Sequence, residues 1–305
     1  MNKLLRFIVP VLITASAQAQ TTTDGLMMPK NNFCTGVMAM QDKWTNYWEG
    51  TLKRENGNIG SITTQSAAWF GNYGISDKLN IIAMMPFITT KASQGTLHGQ
   101  KGIQDLSLTV KYNFWKVYFA DSSRLKAFVV GTASTPMNNY SPDFFPLSLG
   151  THSKQAGARL NLTYFSKKNW YVNGTLGYTF RSNVKLDRPS YWTDGQFYMT
   201  NEVDLPNVLD FAFSAGYIYR GLETKLSYMQ QNTQGGGDIR RQDMPFVSNR
   251  MNFSKTEILF MYYLPRPKYL AVRGSYSYTV AGRNVGQSST FMLGTMYTFH
   301  FGKKQ

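Results

Sequence analysis

The sequence predicts an all-β protein, a transmembrane antiparallel up-and-down β-barrel of about 12 strands, and three observations carry that expectation. Apolar and polar residues alternate with period two over stretches of about ten residues. The links between stretches alternate short and long, as periplasmic turns and outer loops do. Aromatic residues gather at the stretch ends bordering the short links, where one membrane interface would lie.

Lys3 and Arg6, the apolar run Phe7 to Ile13, and small residues ending in Ala17-Gln18-Ala19 form the tripartite pattern of a secretory signal peptide. Residues 1–19 are therefore set apart, residues 20–32 are read as a short N-terminal periplasmic segment, and residues 33–305 as the outer-membrane barrel. Removing residues 1–19 takes away two of the 32 Lys and Arg and none of the 17 Asp and Glu, leaving a net charge of +13. Apolar runs beyond the signal, such as Ile81 to Ile88, reach about eight residues. A spanning helix needs roughly 20, so strands must do the spanning. Cys34 is the one cysteine, which excludes an intramolecular disulfide; it lies too far beyond Ala19 for lipidation and reads as a packed thiol in the first strand.

Twelve strands are expected near 33–41, 61–73, 78–89, 103–115, 124–136, 155–165, 169–182, 207–219, 223–232, 253–263, 268–280 and 289–301. The clearest runs from 104 to 115, where Leu106, Leu108, Val110, Tyr112 and Phe114 alternate with Asp105, Ser107, Thr109, Lys111 and Asn113. In the first two strands either parity could face lipid. Tyr73, Phe114, Trp115, Tyr164, Phe165, Trp170, Tyr171, Tyr217, Tyr219, Tyr262, Tyr263, Tyr269, Tyr297, Phe299 and Phe301 all lie beside a short link or the C-terminus. A soluble β-sandwich shares the alternation but has no reason for such a one-sided girdle.

Tyr73-Gly74-Ile75-Ser76-Asp77-Lys78-Leu79, then Met85-Pro86-Phe87, then Gly102-Ile103-Gln104-Asp105-Leu106-Ser107-Leu108 with Lys111-Tyr112, resembles the "MetA-pathway of phenol degradation" family of outer-membrane proteins. The likeness is best from about residue 60 to 135 and looser beyond. The resemblance implies a transporter-like barrel for hydrophobic compounds, related in spirit to fatty-acid transporters, with no catalytic residue to carry over. Fatty-acid transporters have a long N-terminal plug, whereas about a dozen residues separate Ala19 from the first strand here.

With the large apolar residues on lipid, the opposite set should line the lumen: Lys111, Lys126, Arg159, Arg181, Arg220, Lys225 and Arg273 against Asp105, Asp210 and Glu257. A positive wall favours anions. The expected function is an outer-membrane channel or transporter for small hydrophobic or anionic solutes by passive diffusion. The competing reading is a closed, membrane-anchored structural or surface barrel filled by an internal salt-bridge network. An outer-membrane hydrolase is the third, but it needs His and Ser on one face, and His152-Ser153 would point oppositely on a strand; His98 falls in a loop, and His300 on the lumenal side of the last strand. No enzyme, cofactor or metal site is expected, since three scattered His and one Cys make no ligand cluster. Outer-membrane lipids including lipopolysaccharide are expected partners, through Lys53, Arg54, Arg240, Arg241 and Arg250 on outer loops, together with a small-molecule solute. Nucleic acid is not, the chain is expected to be a monomer, and its place is the outer membrane of a Gram-negative bacterium.

Overall fold

The computed structural model describes residues 21–241 and 244–301, so the signal peptide lies outside the described residues. Twelve long strands are found among them: β1 Asn32–Trp44, β2 Ile62–Ser76, β3 Leu79–Ala92, β4 Asp105–Tyr118, β5 Arg124–Pro136, β6 Gln155–Phe165, β7 Trp170–Arg181, β8 Val208–Tyr219, β9 Leu222–Thr233, β10 Asn252–Tyr263, β11 Leu270–Arg283 and β12 Ser289–His300. Each pairs antiparallel with its neighbours in sequence, and β1 pairs with both β2 and β12, so the sheet closes on itself. A short segment, Lys101–Ile103, extends the pairing of β4 along β3. Closure leaves no unpaired edge, the condition for a sheet to cross hydrocarbon.

The strands form where period two was read, and their outer faces are apolar. Val37, Trp69, Leu108, Val110, Phe213, Leu226, Phe260 and Leu293 are exposed, while Cys34, Phe70, Thr109, Lys111, Ser214 and Lys225 on the alternate positions are buried. This settles the parity left open in β1 and β2: Val37, Trp69 and Tyr73 point outward, and Cys34 packs inward. The girdle beside the short turns is real for Tyr73, Trp170, Tyr217, Tyr219, Tyr262 and Phe299, which are exposed. Phe165 and Tyr171 depart from it. Both are buried, because their strand positions share a face with Asn161, Thr163 and Asn173 inside the barrel.

The outer loops pack over their end of the barrel. Val184, Leu186, Tyr191, Val203, Leu205 and Val247 bury a small core of their own. Asn284 ties three loops together: its Oδ1 accepts from the Gly50 and Ile239 amides, and its Nδ2 donates to Asp238 Oδ1 and Arg250 O.

Candidate functional site in the barrel lumen

Residues 21–31, read from sequence as a periplasmic segment, enter the barrel and run along its inside. The amide of Asn31 donates to Gly74 O at the turn end (2.8 Å) and that of Phe301 to Asn31 O (2.9 Å), which fixes where the segment enters. Met28 then packs among Cys34, Phe70, Leu259, Met261, Ala271 and Met296. Leu26 packs on Phe165 and Tyr171, which explains why those rings left the girdle. Gly25 lies so close to β6 that a Cβ there would collide with the Thr163 side chain, which would have to shift.

Asp24 anchors the segment. Its carboxylate receives the Thr21 hydroxyl (2.9 Å), the Leu26 amide (3.0 Å) and the Lys111 ammonium (2.8 Å), and the Thr21 amide as well. Lys111 is wholly buried, and its other bonds go to Asp24 O (2.7 Å) and Thr21 O (3.0 Å). Three donors meet three acceptors, which is what a buried ammonium requires. Around this pair a polar ladder continues: Asn161 Nδ2 donates to Asp24 O, and Asn173 Nδ2 to Asn161 Oδ1 and Thr163 Oγ1.

The other residues expected on the lumen wall fall as follows. Arg159 and Asp210 face each other across β7, bonded through Nη2 to both carboxylate oxygens (2.8 and 2.9 Å) and through Nε (3.2 Å). Gly177 lies between them in register; a Cβ there would meet Asp210 Oδ1 at 2.8 Å and Arg159 Nε at 2.9 Å. Asp105 accepts from Tyr140 Oη (2.7 Å) of the outer loop 137–154. Lys126 stands 5.2 Å from the Phe165 ring. Lys225 and Glu257 border one internal cavity with Asp210, and Arg181 borders another. Arg273 is opposite buried Met261, and its Nε, like that of Arg181, makes no hydrogen bond among the described residues.

Arg220 is a correction. It occupies the two-residue turn after β8 with φ +50°, exposed, its guanidinium over the Tyr219 ring. The alternation of β8 ends at Tyr219, one residue before Arg220. Asp24, Asp42 and Glu223 join the inner carboxylates, and Lys116, Arg124 and Lys255 lie on the inner parity among the cations. Glu223 accepts the Tyr171 hydroxyl (2.6 Å), and Asp42 those of Ser288 and Thr290. His300 shares the inner parity of Met296 and Thr298 and is exposed at the end of β12, beside Tyr269. His152 lies in the loop before β6 with φ +55°, and the Ser153 hydroxyl is directed at the carbonyls of Lys154 and Ser182, so they form no nucleophile and base pair.

Between the segment and the wall, space remains. A cavity of about 330 Å³ lies under the outer loops, bordered by Trp44, Tyr47, Phe145, Phe253, Arg181 and Lys255. Two more, of about 200 and 220 Å³, adjoin the segment at Thr23 and Thr22 and share Arg159.

The sequence model of the family described as "Putative MetA-pathway of phenol degradation" matches residues 57–294. The fold resembles the COG4313 outer membrane channel from Pseudomonas putida F1 with a TM-score of 0.70 at 14% identity, covering 93% of this chain and 100% of that chain. The translocator domain of the autotransporter NalP from Neisseria meningitidis gives a TM-score of 0.47 at 9% identity, over 88% of this chain and 89% of that one. No curated protein matches the chain. The chain belongs to the MetA-pathway of phenol degradation family, and it is a 12-stranded β-barrel of the Gram-negative outer membrane.

Proposed function

We propose that the protein is an outer-membrane channel through which small solutes diffuse passively, past a lumen narrowed by its own N-terminal segment. The string of three cavities, two of them beside Thr22 and Thr23, carries this reading. The smallest, at 200 Å³, has room for several waters at about 30 Å³ each, which sets the scale of what passes. The outer cavity is lined by the rings of Trp44, Tyr47, Phe145 and Phe253 together with Arg181 and Lys255. That combination suits a small solute with an apolar body and an anionic group, the two properties the sequence suggested separately.

A closed barrel is the second reading, and the complete bonding of Lys111 to the segment favours it. Single-channel recording in planar bilayers separates the two. The channel reading expects small conductance steps from the intact protein and larger ones after deletion of residues 21–28. Silence from the intact protein, with steps appearing in the deletion, would establish the closed barrel.

A further inference from the structure

We infer that the outer surface of β12, β1, β2 and β3 holds one lipopolysaccharide molecule of the outer leaflet, with an acyl chain over Ala39 and Ala67 and the phosphorylated headgroup at Lys43 and Lys91. This rests on the outer-membrane placement and not on the channel reading. The strand register aligns outward side chains in rows. Leu293, Ala39, Ala67 and Phe87 form one. Because the two central residues are Ala, a groove of about 440 Å³ opens between Leu293 and Phe87, and Phe291 closes one side of it.

The next row outward holds Gln41, Gln65 and Thr89, and the one beyond it Lys43, Thr63 and Lys91. Gln65 Nε2 donates to Gln41 Oε1 (3.1 Å), and both amides are exposed on this face. Their remaining donor and acceptor lie where an acyl chain joins a polar headgroup. Lys43 and Lys91 are exposed, and two strand spacings put their backbones about 10 Å apart. Lys101 pairs with Thr89 and adds a third cation. Neither row contains a carboxylate.

The height fits. Lys43 lies ten residues along β1 from Phe33, which is level with girdle residue Tyr73. At about 3.3 Å per residue and a tilt near 40°, that is roughly 25 Å, the thickness of the apolar band of such barrels. The lysines therefore sit at the outer headgroup level, with the groove directly beneath. A second copy of the chain is a poorer occupant. A two-fold contact would set groove against groove and lysine against lysine.

Native mass spectrometry of protein purified from outer membranes in mild detergent tests this, with lipopolysaccharide and phospholipid adducts counted separately. The wild type should retain lipopolysaccharide. The charge variant K43Q/K91Q/K101Q and the filled groove A39L/A67L should each retain about tenfold less, the effect of losing one or two charge-assisted bonds or their positioning. Heat-modifiable migration like that of the wild type would show that each variant is folded, and bilayer conductance reports separately on the channel. Undiminished lipopolysaccharide in either folded variant overturns the site, as does phospholipid bound equally well. A disulfide-linked dimer formed through Ala39→Cys would assign the groove to a second copy instead.

Discussion

Lys111 and Asp24 meet inside the barrel at 2.8 Å, both buried, though the chain between them runs 87 residues. Replacing one partner strands the other charge away from water, which costs about 3–5 kcal/mol in comparable buried pairs. Lys111→Met should therefore unseat residues 21–31, and a Cys at Thr22 should then react with a periplasmic maleimide that leaves the parent unlabelled. The double change Lys111→Met with Asp24→Leu removes both charges and should label more slowly than the single variant. Equal labelling of parent and Lys111→Met would mean that the apolar contacts of Met28 and Leu26 hold the segment alone.

The same pair sets a pH dependence. Burial acts to raise the Asp24 carboxyl, but the Lys111 ammonium and the Thr21 and Leu26 amides outweigh it and hold it below the usual 3.8. Lys126, Lys225 and Glu223 are the other charged groups close to this pair. A depressed carboxyl stabilises docking above its unfolded value and loses that contribution as pH falls through its folded value. Labelling at Thr22→Cys should thus be flat from about pH 8 to 5, after correction for the reagent's own pH dependence, and rise only below about pH 4. A rise near pH 6 would point to another group.

What the sequence disclosed and what it hid follow from range. Period two is local, so all twelve strands could be read within a few residues, and the parity of Lys111 and Asp210 came with them. Parity fails where the ladder is irregular. The shift at Asn113/Trp115 turns both Phe114 and Trp115 outward, whereas Lys255 shares the inner parity of Glu257 and Leu259, and the extra residue at the shift beside it is Val280 on the partner strand. Thr21-Thr22-Thr23-Asp24-Gly25 has no periodicity at all, and the partner of Asp24 lies on another element. One signal was present: an Asp-Gly pair after three Thr, beside two Met, is an odd composition for a segment left in water.

The lipid face gives a sharper test than composition does. Val110 is exposed at the middle of β4, so Val110→Arg should cost about 2–4 kcal/mol of barrel stability, read from urea unfolding in lipid vesicles. Thr109 points inward and bonds Thr132 Oγ1 at 2.9 Å, beside the cavity at Thr22. Thr109→Arg should leave unfolding closer to the parent but reduce conductance, since the cation fills that space. If Thr109→Arg destabilised more than Val110→Arg, the inner cavities would be too tightly packed to conduct.

Ion selectivity depends on which inner cations are neutralised in place. Asp210 cancels Arg159, whereas the Nε groups of Arg181 and Arg273 have no hydrogen-bond partner among the described residues. Arg181 borders the outer cavity, so its charge acts directly on an entering ion. If the channel conducts, Arg181→Gln should lower the anion-to-cation permeability ratio, and Asp210→Asn should raise it by freeing Arg159. Arg159→Gln should act opposite to Asp210→Asn, because the carboxylate is then the one left without a counter-charge. All three effects should be largest at 0.01 M salt, where the Debye length is about 30 Å, and fade near 1 M, where it is about 3 Å. Reversal potentials across a salt gradient measure this, and a ratio that ignored Arg181→Gln at low salt would move the ion path away from the outer cavity.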